Sequence, residues 1–308
     1  MSPALALLRD RRFVALTGAG ISTDSGIPDY RGPGSPARTP MTYQEFVSGP
    51  AARQRYWARS HIGWSRMRQA QPNAAHHALA RLEAAGALQH LVTQNVDGLH
   101  EAAGSRRLCA LHGRIADVVC LSCGQQTSRA LLHDQLRDLN PGFAEAHAAA
   151  DVRPDGDVEL SSTEGFVVPG CGFCGGVLKP DVVFFGENVP RDRVRRCFDA
   201  VECTDALLVL GSSLAVMSGL RFVRRAHQLG VPVVIVNRGE TRGDPLATYK
   251  VDVGCADFLA ALCRDRGLSG DVAAHGQDHA EQRQRHGVPQ QHDATRPPLE
   301  VVEEGVAG

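Results

Sequence analysis

The sequence predicts an α/β fold, an open parallel sheet with helices on both faces, interrupted by a small inserted module. Short apolar runs that end in glycine or serine alternate with stretches of helical character, which is the pattern of repeated strand–loop–helix units. The units stop between residues 114 and 178, where four cysteines stand in two C-x-x-C pairs, and they resume afterwards. The 308 residues, 43% of them hydrophobic, suffice for one large domain with insertions or for two domains.

The first predicted strand is FVALT (13–17), a buried run that enters a glycine turn. A helix is predicted over 71–86, with Pro-Asn at its start, Leu79 and Leu82 on one face and Gly86 as its stop. Further strands are LQHLVT, ALLVL, VPVVIV and YKV, and helices follow in GLRFVRRAHQLG and CADFLAALC. Ligands bind where the carboxyl ends of parallel strands meet. The loops GAGIS, TQNVDG, GSS, NRG and VGCA should therefore converge on one cleft.

Changes in composition predict the domain boundaries. The discontinuous Rossmann-like domain should comprise residues 1–40, 71–112 and 179–268. A helical module (41–70) and a metal-binding module (113–178) should together form the small domain. Residues 269–308 lack hydrophobic periodicity and are interpreted as a disordered tail.

Composition excludes several classes of partner. The net charge of −1 gives no reason to expect nucleic acid or a membrane surface. No run of about 18 apolar residues suggests a membrane span. The N-terminal MSPALALLRDRR lacks the basic region and cleavage site of a signal peptide. We expect a cytoplasmic monomer.

The two C-x-x-C pairs are the clearest chemical signal. Cys120, Cys123, Cys171 and Cys174 would supply four thiolates, which suits tetrahedral Zn(II) with no position open to substrate. The metal would therefore be structural. The alternative interpretation is redox-active or free thiols. The total of nine cysteines is odd, which argues against a disulfide framework.

Two polar segments and one histidine are candidate ligand-binding elements. The turn GAGISTDSGIPDYR (18–31) lets backbone amides approach a pyrophosphate, and a following helix N-terminus would assist. However, Thr23 replaces the third glycine of G-x-G-x-x-G, so the turn alone could be merely tight. TQNVDGLH (93–100) suits an amide or sugar hydroxyls, although Asn and Asp also simply make turns. His112 could be a general base, but most isolated histidines are structural.

Together these stretches resemble the sirtuins, the NAD-dependent protein deacylases. The matching pieces are the segments above, LHG (111–113), the cysteine pairs, KPDVVFFGE (179–187), GSSL (211–214) and NRG (237–239), in the family's order. The segment 38–64 further resembles the class II branch, typified by a mitochondrial member of lipoamidase and ADP-ribosyltransferase type. The resemblance implies that NAD is consumed as a co-substrate and that one structural Zn(II) is bound.

The resemblance also implies residue roles. His112, Asn95 and Asp97 would be catalytic, with Asp97 receiving the nicotinamide carboxamide. The NAD pocket would further contain Gly18, Ala19, Gly20, Ile21, Asp29, Tyr30, Arg31, Arg38, Gln94, Val96, Gly211, Ser212, Ser213, Asn237, Arg238, Gly239 and Cys255. Substrate backbone would pair with the segment that contains Val182, Phe184, Phe185 and Gly186.

The implied reaction transfers an acyl group from lysine to ADP-ribose. The acyl oxygen attacks C1′ of the nicotinamide ribose, nicotinamide leaves, and His112 takes a proton from a ribose hydroxyl. Water then completes the reaction, which yields free lysine and O-acyl-ADP-ribose. The expected partners are acyl-lysine proteins or peptides.

The acyl preference depends on Tyr56 and Arg59, which share one helical face. Their spacing is similar to the Tyr-x-x-Arg pair with which some members bind the carboxylate of succinyl and glutaryl groups. One hypothesis is a preference for acidic, branched acyl chains. The alternative is a surface arginine with no such role.

Three rival functions use the same residues differently. A protein mono-ADP-ribosyltransferase would use the same pocket with another acceptor. A non-catalytic sensor of NAD or ADP-ribose would not need His112, Asn95 and Asp97 together. An ordinary NAD dehydrogenase is disfavoured because the uninterrupted glycine fingerprint is missing.

Overall fold

The structure is a computed structural model that describes residues 2–30, 40–147, 158, 160 and 162–268. The interpretation of residues 269–308 as a tail lies outside this part of the chain. No helix in the described ranges is both long enough and apolar enough to cross a membrane.

The larger of two sheets has six parallel strands in the order β3–β2–β1–β7–β8–β9. They are β1 (Phe13–Thr17), β2 (Leu88–Thr93), β3 (Leu108–Ala110), β7 (Leu207–Leu210), β8 (Val233–Val236) and β9 (Tyr249–Val251). Every residue of β1, β7 and β8 is buried, because helices cover both faces of the sheet. The predicted fold class is confirmed.

Alternate strand residues point to opposite faces and build two separate cores. On one face, Ala15, Leu208 and Val234 pack in a cluster with residues of α1 (Pro3–Arg9), α4 (Ala74–Ala84) and α10 (Cys255–Asp265). On the other face, Leu16, Val209 and Ile235 pack with residues of α8 (Arg191–Glu202) and α9 (Met217–Gln228). The helix predicted over 71–86 is thus α4, and it is shorter at both ends.

The smaller sheet is antiparallel, in the order β5–β4–β6, and the sequence did not predict it. Its strands are β4 (Gly113–Cys120), β5 (Gln126–Ser128) and β6 (Leu178–Val182). The remaining helices are α2 (Tyr43–Val47), α3 (Pro50–Gln69), α5 (Leu99–Ala102), α6 (Arg129–Leu139) and α7 (Phe143–Ala146). Trp57 of α3, Leu132 of α6 and Leu178 of β6 belong to one core cluster beside this sheet.

A charged side chain is fully buried in this region. The guanidinium of Arg129 lies 5.0 Å from the ring centre of Trp57 and 5.4 Å from that of Trp64. One of its nitrogens donates to the carbonyl of Ser60, while Nε and Nη1 have no hydrogen-bond partner among the described residues. Burial lowers the pKa of Arg129 to about 10.

The chain enters and leaves the smaller sheet at one place. Gly113 pairs with Val182, and the amide of Val183 donates to the carbonyl of His112 at 2.8 Å. Gly113 has φ +84°, and a Cβ there would lie 1.9 Å from the carbonyl oxygen of Asp181. Only glycine fits this position, because any side chain would force the two strands apart.

Candidate active site

A cavity of about 930 Å³ lies at the carboxyl edge of the larger sheet. The five loops predicted to converge all contribute to its wall. Of the predicted cofactor residues, it is lined by Gly18, Ala19, Gly20, Asp29, Tyr30, Gln94, Asn95, Val96, Asp97, Gly211, Ser212, Ser213, Asn237, Arg238, Gly239 and Cys255. Ile21 is buried in the core instead, and Arg31 and Arg38 lie outside the described residues.

The glycines of the loop GAGIS are required because the loop GSS packs directly against them. A Cβ on Gly18 or Gly20 would lie 2.8 or 2.9 Å from the carbonyl oxygen of Gly211, respectively. The amide of Gly20 donates to that same oxygen at 2.8 Å. The two strand-end loops therefore interlock through backbone alone.

The expected helix N-terminus after this loop is not present. Two single turns of 3₁₀ helix follow, Ala19–Ile21 and Thr23–Ser25. Thr23 begins the second turn, and its hydroxyl donates to the carbonyl of Gly20 at 3.1 Å. Three residues form too short a segment to develop a helix dipole, so backbone amides and polar side chains remain as the ligand-binding groups.

The start of α4 holds the loop in place. The side chain of Asn73 caps α4 by accepting from the amides of Ala75 and His76. Its Nδ2 also donates to the carbonyl of Ile21 at 2.8 Å and to Ser25 Oγ at 3.0 Å. One capping residue thus fixes the 3₁₀ turns against the neighbouring helix.

Asn95 and Asp97 meet through Ser22, which sequence reasoning missed. Ser22 Oγ donates to Asp97 Oδ2 at 2.8 Å and accepts from Asn95 Nδ2 at 3.0 Å. The amide of Leu99 donates to Asp97 Oδ1 at 3.0 Å. Burial raises the pKa of Asp97 above its ordinary value, and these hydrogen bonds oppose the shift. The position of Ser22, inside GAGIS, was the available signal.

His112 is held with a defined tautomer. Its Nδ1 lies 2.8 Å from the carbonyl oxygen of Gln94, which can only accept, so Nδ1 carries the proton. Nε2 lies 2.9 Å from Ser218 Oγ at the cavity wall and is left as the basic nitrogen. Burial lowers the pKa of His112, so the ring is neutral at neutral pH. Ser218 is a second residue that the sequence did not single out.

Gln94 connects two of the converging loops. Its Nε2 donates to Ser212 Oγ at 2.7 Å, and its side-chain oxygen lies against Gly219. A Cβ at position 219 would approach that oxygen to 2.5 Å. The side chain is therefore fixed by both neighbours, and its main-chain carbonyl can orient His112.

The predicted substrate segment forms another wall, to which Val182, Phe184, Phe185 and Gly186 contribute. The ring of Phe184 lies 5.2 Å from those of both Phe46 and Tyr56. Glu187 accepts from the amide of Phe184 at 2.9 Å and pairs with buried Lys179 at 3.0 Å. A partly buried ion pair thus fixes the turn that carries the phenylalanines.

Tyr56 and Arg59 are placed differently. Tyr56 lines the cavity, between Phe46 and Phe184. Arg59 is not among the residues that line the cavity, and its Nε donates to the carbonyl of Val158 at 2.5 Å. The structure brings the ring to the site but not the guanidinium.

The four predicted metal ligands form one cluster. The Sγ atoms of Cys120 and Cys174 are 3.5 Å apart, those of Cys123 and Cys171 are 3.9 Å apart, and all four lie within 4.8 Å of one another. A tetrahedral Zn(II) with Zn–S bonds of about 2.3 Å needs sulfur atoms about 3.8 Å apart. The donor set and its spacing therefore fit a structural zinc ion.

The comparisons with known proteins agree with this arrangement. The model of the Sir2 family matches residues 18–218. NAD-dependent protein deacetylase 1 of Mycobacterium avium (strain 104) is 55% identical over 265 residues, which cover 85% of this chain and 94% of that protein. NAD-dependent protein deacetylase 1 of Streptomyces coelicolor is 51% identical over 89% of this chain and 92% of that protein.

Solved structures show the same fold. A structure described as Sir2 with a p53 peptide and NAD⁺ superposes with a TM-score of 0.70 at 34% identity, and the match covers 86% of this chain and 98% of that one. A Sir2 bound to an acetylated peptide gives 0.66 at 31% identity over 86% and 98% of the two chains. The match to the family model and the identity to these relatives extend over most of the chain, and the chain belongs to the Sir2 family, the sirtuins.

Proposed function

We propose that this protein is an NAD-dependent protein-lysine deacylase of deacetylase type, which frees lysine while it cleaves NAD to nicotinamide and O-acyl-ADP-ribose. The observation that carries the proposal is a neutral, buried His112 with its basic nitrogen at the wall of a cavity that also contains Asn95 and Asp97. Relatives that are 51% and 55% identical carry the name NAD-dependent protein deacetylase.

The cavity has the donor set that a dinucleotide needs. Backbone amides and hydroxyls of Gly211–Ser213 and the amide side chain of Asn237 are suited to the phosphates and ribose of the adenosine half. Asp97 and Asn95, fixed by Ser22, suit the carboxamide of nicotinamide. When bound, NAD supplies the glycosidic bond whose cleavage drives the reaction and the ribose that receives the acyl group.

His112 supplies the base. Its Nε2 takes a proton from a hydroxyl group that replaces the Ser218 hydroxyl as hydrogen-bond partner. The Gln94 carbonyl keeps Nδ1 protonated and stabilises the positive charge that the ring gains. Because the pKa of the ring is below its ordinary value, the base is available at neutral pH.

Asp97 orients the leaving portion of the co-substrate. One carboxylate oxygen is bonded to the Leu99 amide and the other to the Ser22 hydroxyl, which fixes the plane of the carboxylate. A carboxyl oxygen in this plane can accept an N–H group of a carboxamide. The Asn95 amide, bonded to the same hydroxyl, is held beside it.

The segment Val182–Gly186 binds the backbone of the substrate, and Phe184 with Tyr56 forms the apolar wall of the acyl channel. Backbone pairing requires few side-chain contacts, so the sequence preference at the sites next to lysine should be loose.

Replacement of His112 by Ala is the test of this function. We expect kcat to fall by about 10²- to 10⁴-fold, because the general base is lost while the backbone around it is unchanged. The assay follows nicotinamide release and the mass of acyl-lysine peptides, and His227→Ala, which removes an exposed imidazole on α9, is the control. Retention of most activity by His112→Ala would contradict the assignment. Labelled ADP-ribose on protein, with no peptide deacylated, would indicate transferase activity instead.

The acyl preference remains a separate proposal. A preference for acidic, branched acyl groups requires Arg59 to reach the part of the cavity that Tyr56 lines. If it does, Arg59→Met should lower the ratio of glutaryl to acetyl turnover about tenfold, because a charge-assisted hydrogen bond is lost. An unchanged ratio would leave Tyr56 as an apolar wall residue only. The ratio is measured with matched peptides, and acetyl turnover is the internal control.

Finer assignments are proposed on the sequence alone. They are membership of the class II branch, from the resemblance of residues 38–64, a cytoplasmic location, and a monomer without nucleic acid or membrane partners. The domain division into 1–40, 71–112 and 179–268 against 41–70 and 113–178 is proposed on the same basis. Light scattering after size-exclusion chromatography measures the oligomeric state directly.

A further inference from the structure

A second depression of about 730 Å³ lies between α8 and α9. We name it the α8–α9 cleft. Its wall shares Asn188, Val189 and Arg221 with the cavity of about 930 Å³ described above, which we call the catalytic cavity. A peptide that leaves the catalytic cavity across these shared residues therefore enters the α8–α9 cleft directly.

The residues of the cleft follow the helical repeat. On α8, the charged residues Arg191, Arg195, Asp199 and Glu202 recur at intervals of four and three and so share one face. The opposite face of α8 buries Cys197 and Val201 in the core. This division leaves a charged face of α8 that is free to meet a ligand.

Charge is arranged unevenly along the cleft. Arg225 of α9 donates to Glu202 at 2.8 Å, so these two charges neutralise each other at one end of the cleft. Arg191, Arg195 and Arg221 line the cleft, and none of them forms an ion pair with any residue that the structure describes. Asp199 is the one unpaired carboxylate among the described lining residues, so the positive charges outnumber it three to one. The whole chain has a net charge of −1, so this group of arginines is a local feature and not a reflection of a basic protein.

The arginines surround an apolar patch. Val189, Val194 and Phe198 lie among the residues that line the cleft. Guanidinium groups bind carboxylates through two parallel hydrogen bonds, and apolar residues beside them can accept a neighbouring aliphatic side chain. The combination suits a peptide in which acidic and apolar residues are interspersed.

We propose that the α8–α9 cleft is a second docking surface for the protein substrate, which binds acidic residues in the segment that flanks the acyl-lysine. The proposal rests on the proposed function, because it places the flanking segment relative to a bound acyl-lysine. Docking outside the catalytic cavity raises the local concentration of the acyl-lysine. It should therefore lower KM and leave kcat unchanged.

Labelled acetyl-lysine peptides test this directly. One peptide has glutamates before the acetyl-lysine, one has glutamates after it, and in a third they are replaced by glutamines. Fluorescence anisotropy gives Kd for the full-length wild type, for Arg191→Glu/Arg195→Glu, and for the matched control Arg196→Glu/Arg224→Glu. The control arginines are exposed on the same two helices but do not line the cleft, and the control makes the same change in net charge.

We expect the wild type to bind one glutamate peptide at least about fivefold more tightly than the glutamine peptide at low salt, with a difference that shrinks as salt is added. Arg191→Glu/Arg195→Glu should abolish the difference, and the control should retain it. KM should follow Kd, and turnover of the glutamine peptide should be equal in all three proteins.

The opposite outcomes are equally clear. Equal affinity of the wild type for the glutamate and glutamine peptides overturns the proposal, as does an equal loss in the control, which would show a general charge effect. Displacement of the peptide by inorganic phosphate, but not by chloride at the same ionic strength, would identify an anion site instead. Anisotropy reports docking without catalysis, so absence of nicotinamide release with every peptide would count against the deacylase function and not against the cleft.

Discussion

The two sheets of this protein bury different kinds of side chain. In the larger sheet, β7 and β8 consist of buried aliphatic residues alone, and β1 adds Phe13 at its first position and Thr17 at its last. Around the smaller sheet, Arg129, Lys179 and His61 are all nearly inaccessible to solvent, and four cysteines cluster at one end. The larger sheet is stabilised by apolar burial, which needs no partner. The smaller sheet depends on contacts of individual buried charged groups and on a metal ion. The loss of one such group should therefore destabilise the whole sheet.

The largest expected effect is the loss of a metal ligand. Cys171→Ser should release zinc and unfold the smaller sheet while the larger sheet stays folded, because apparent binding energies of structural zinc are about 10–16 kcal/mol. Hydrogen exchange should show lost protection in residues 113–182 and retained protection in 207–236. Cys203→Ser, at an exposed free cysteine, is the control. Unchanged protection of residues 113–182 would show that the smaller sheet is stable without its metal.

A smaller effect is expected at the ion pair behind the substrate segment. Lys179→Met leaves Glu187 without its charged partner, and we expect the free energy of unfolding to fall by about 1–3 kcal/mol. The KM for peptide should rise as well, because Glu187 fixes the amide of Phe184.

A double-mutant cycle sharpens this result. Lys179→Met/Glu187→Gln should lose less than Lys179→Met, since no uncompensated charge remains while the amide of Phe184 keeps an acceptor. Glu187→Gln completes the cycle, and urea denaturation gives the free energy of unfolding of the wild type and of all three variants. Additive losses would mean that the two side chains act independently and that the pair does not hold the turn.

The smallest expected effect is a loss of folding stability at acid pH. The rings of His61 and His133 lie 4.4 Å apart. Burial and the charge of His133 lower the pKa of His61 to about 3, and burial and the charge of Arg129 lower the pKa of His133 to about 4. In the unfolded chain the two imidazoles bind protons near pH 6.5, whereas in the folded chain they stay neutral to a lower pH. The free energy of unfolding should therefore fall as pH drops from about 6.5 towards 4.

His61→Leu removes part of this dependence. The urea midpoint of the variant should fall less than that of the wild type between pH 7 and about 4.5. The comparison uses the difference between the proteins, because acid also weakens metal binding by thiolates. His227→Gln, at an exposed site on α9, should behave as the wild type does. Parallel curves for His61→Leu and the wild type would assign the acid sensitivity to the metal site alone.

The difference between the regions also explains what the sequence could predict. Strands β7 and β8 are short apolar runs closed by glycine or asparagine, so their burial and direction follow from composition. β3 and β5 have three residues each and take their conformation from pairing with β2 and β4, which no local pattern reveals. The apolar stripe of α8, with Val194, Cys197 and Val201, is hidden among arginines.

Local sequence patterns were likewise insufficient to identify every residue of the candidate active site. The loops could be placed together because parallel strands end at one edge of a sheet. Ser22 and Ser218 could not be assigned in this way, since their hydroxyls acquire partners 75 and 106 residues distant only when the chain folds. The burial of Arg129 between two tryptophans has no sequence signal at all, because arginine is ordinarily a surface residue.

The junction at Gly113 determines which insertions and deletions the chain can tolerate. Because His112 and Val183 are joined by one main-chain hydrogen bond, the seventy residues between them begin and end at a single point. Insertions and deletions in the loops of that excursion, away from β4 and β6, can lengthen, shorten or reshape it without displacing either His112 or Val183. The outer loops of this segment can therefore present different surfaces to solvent while His112 and Val183 keep their positions.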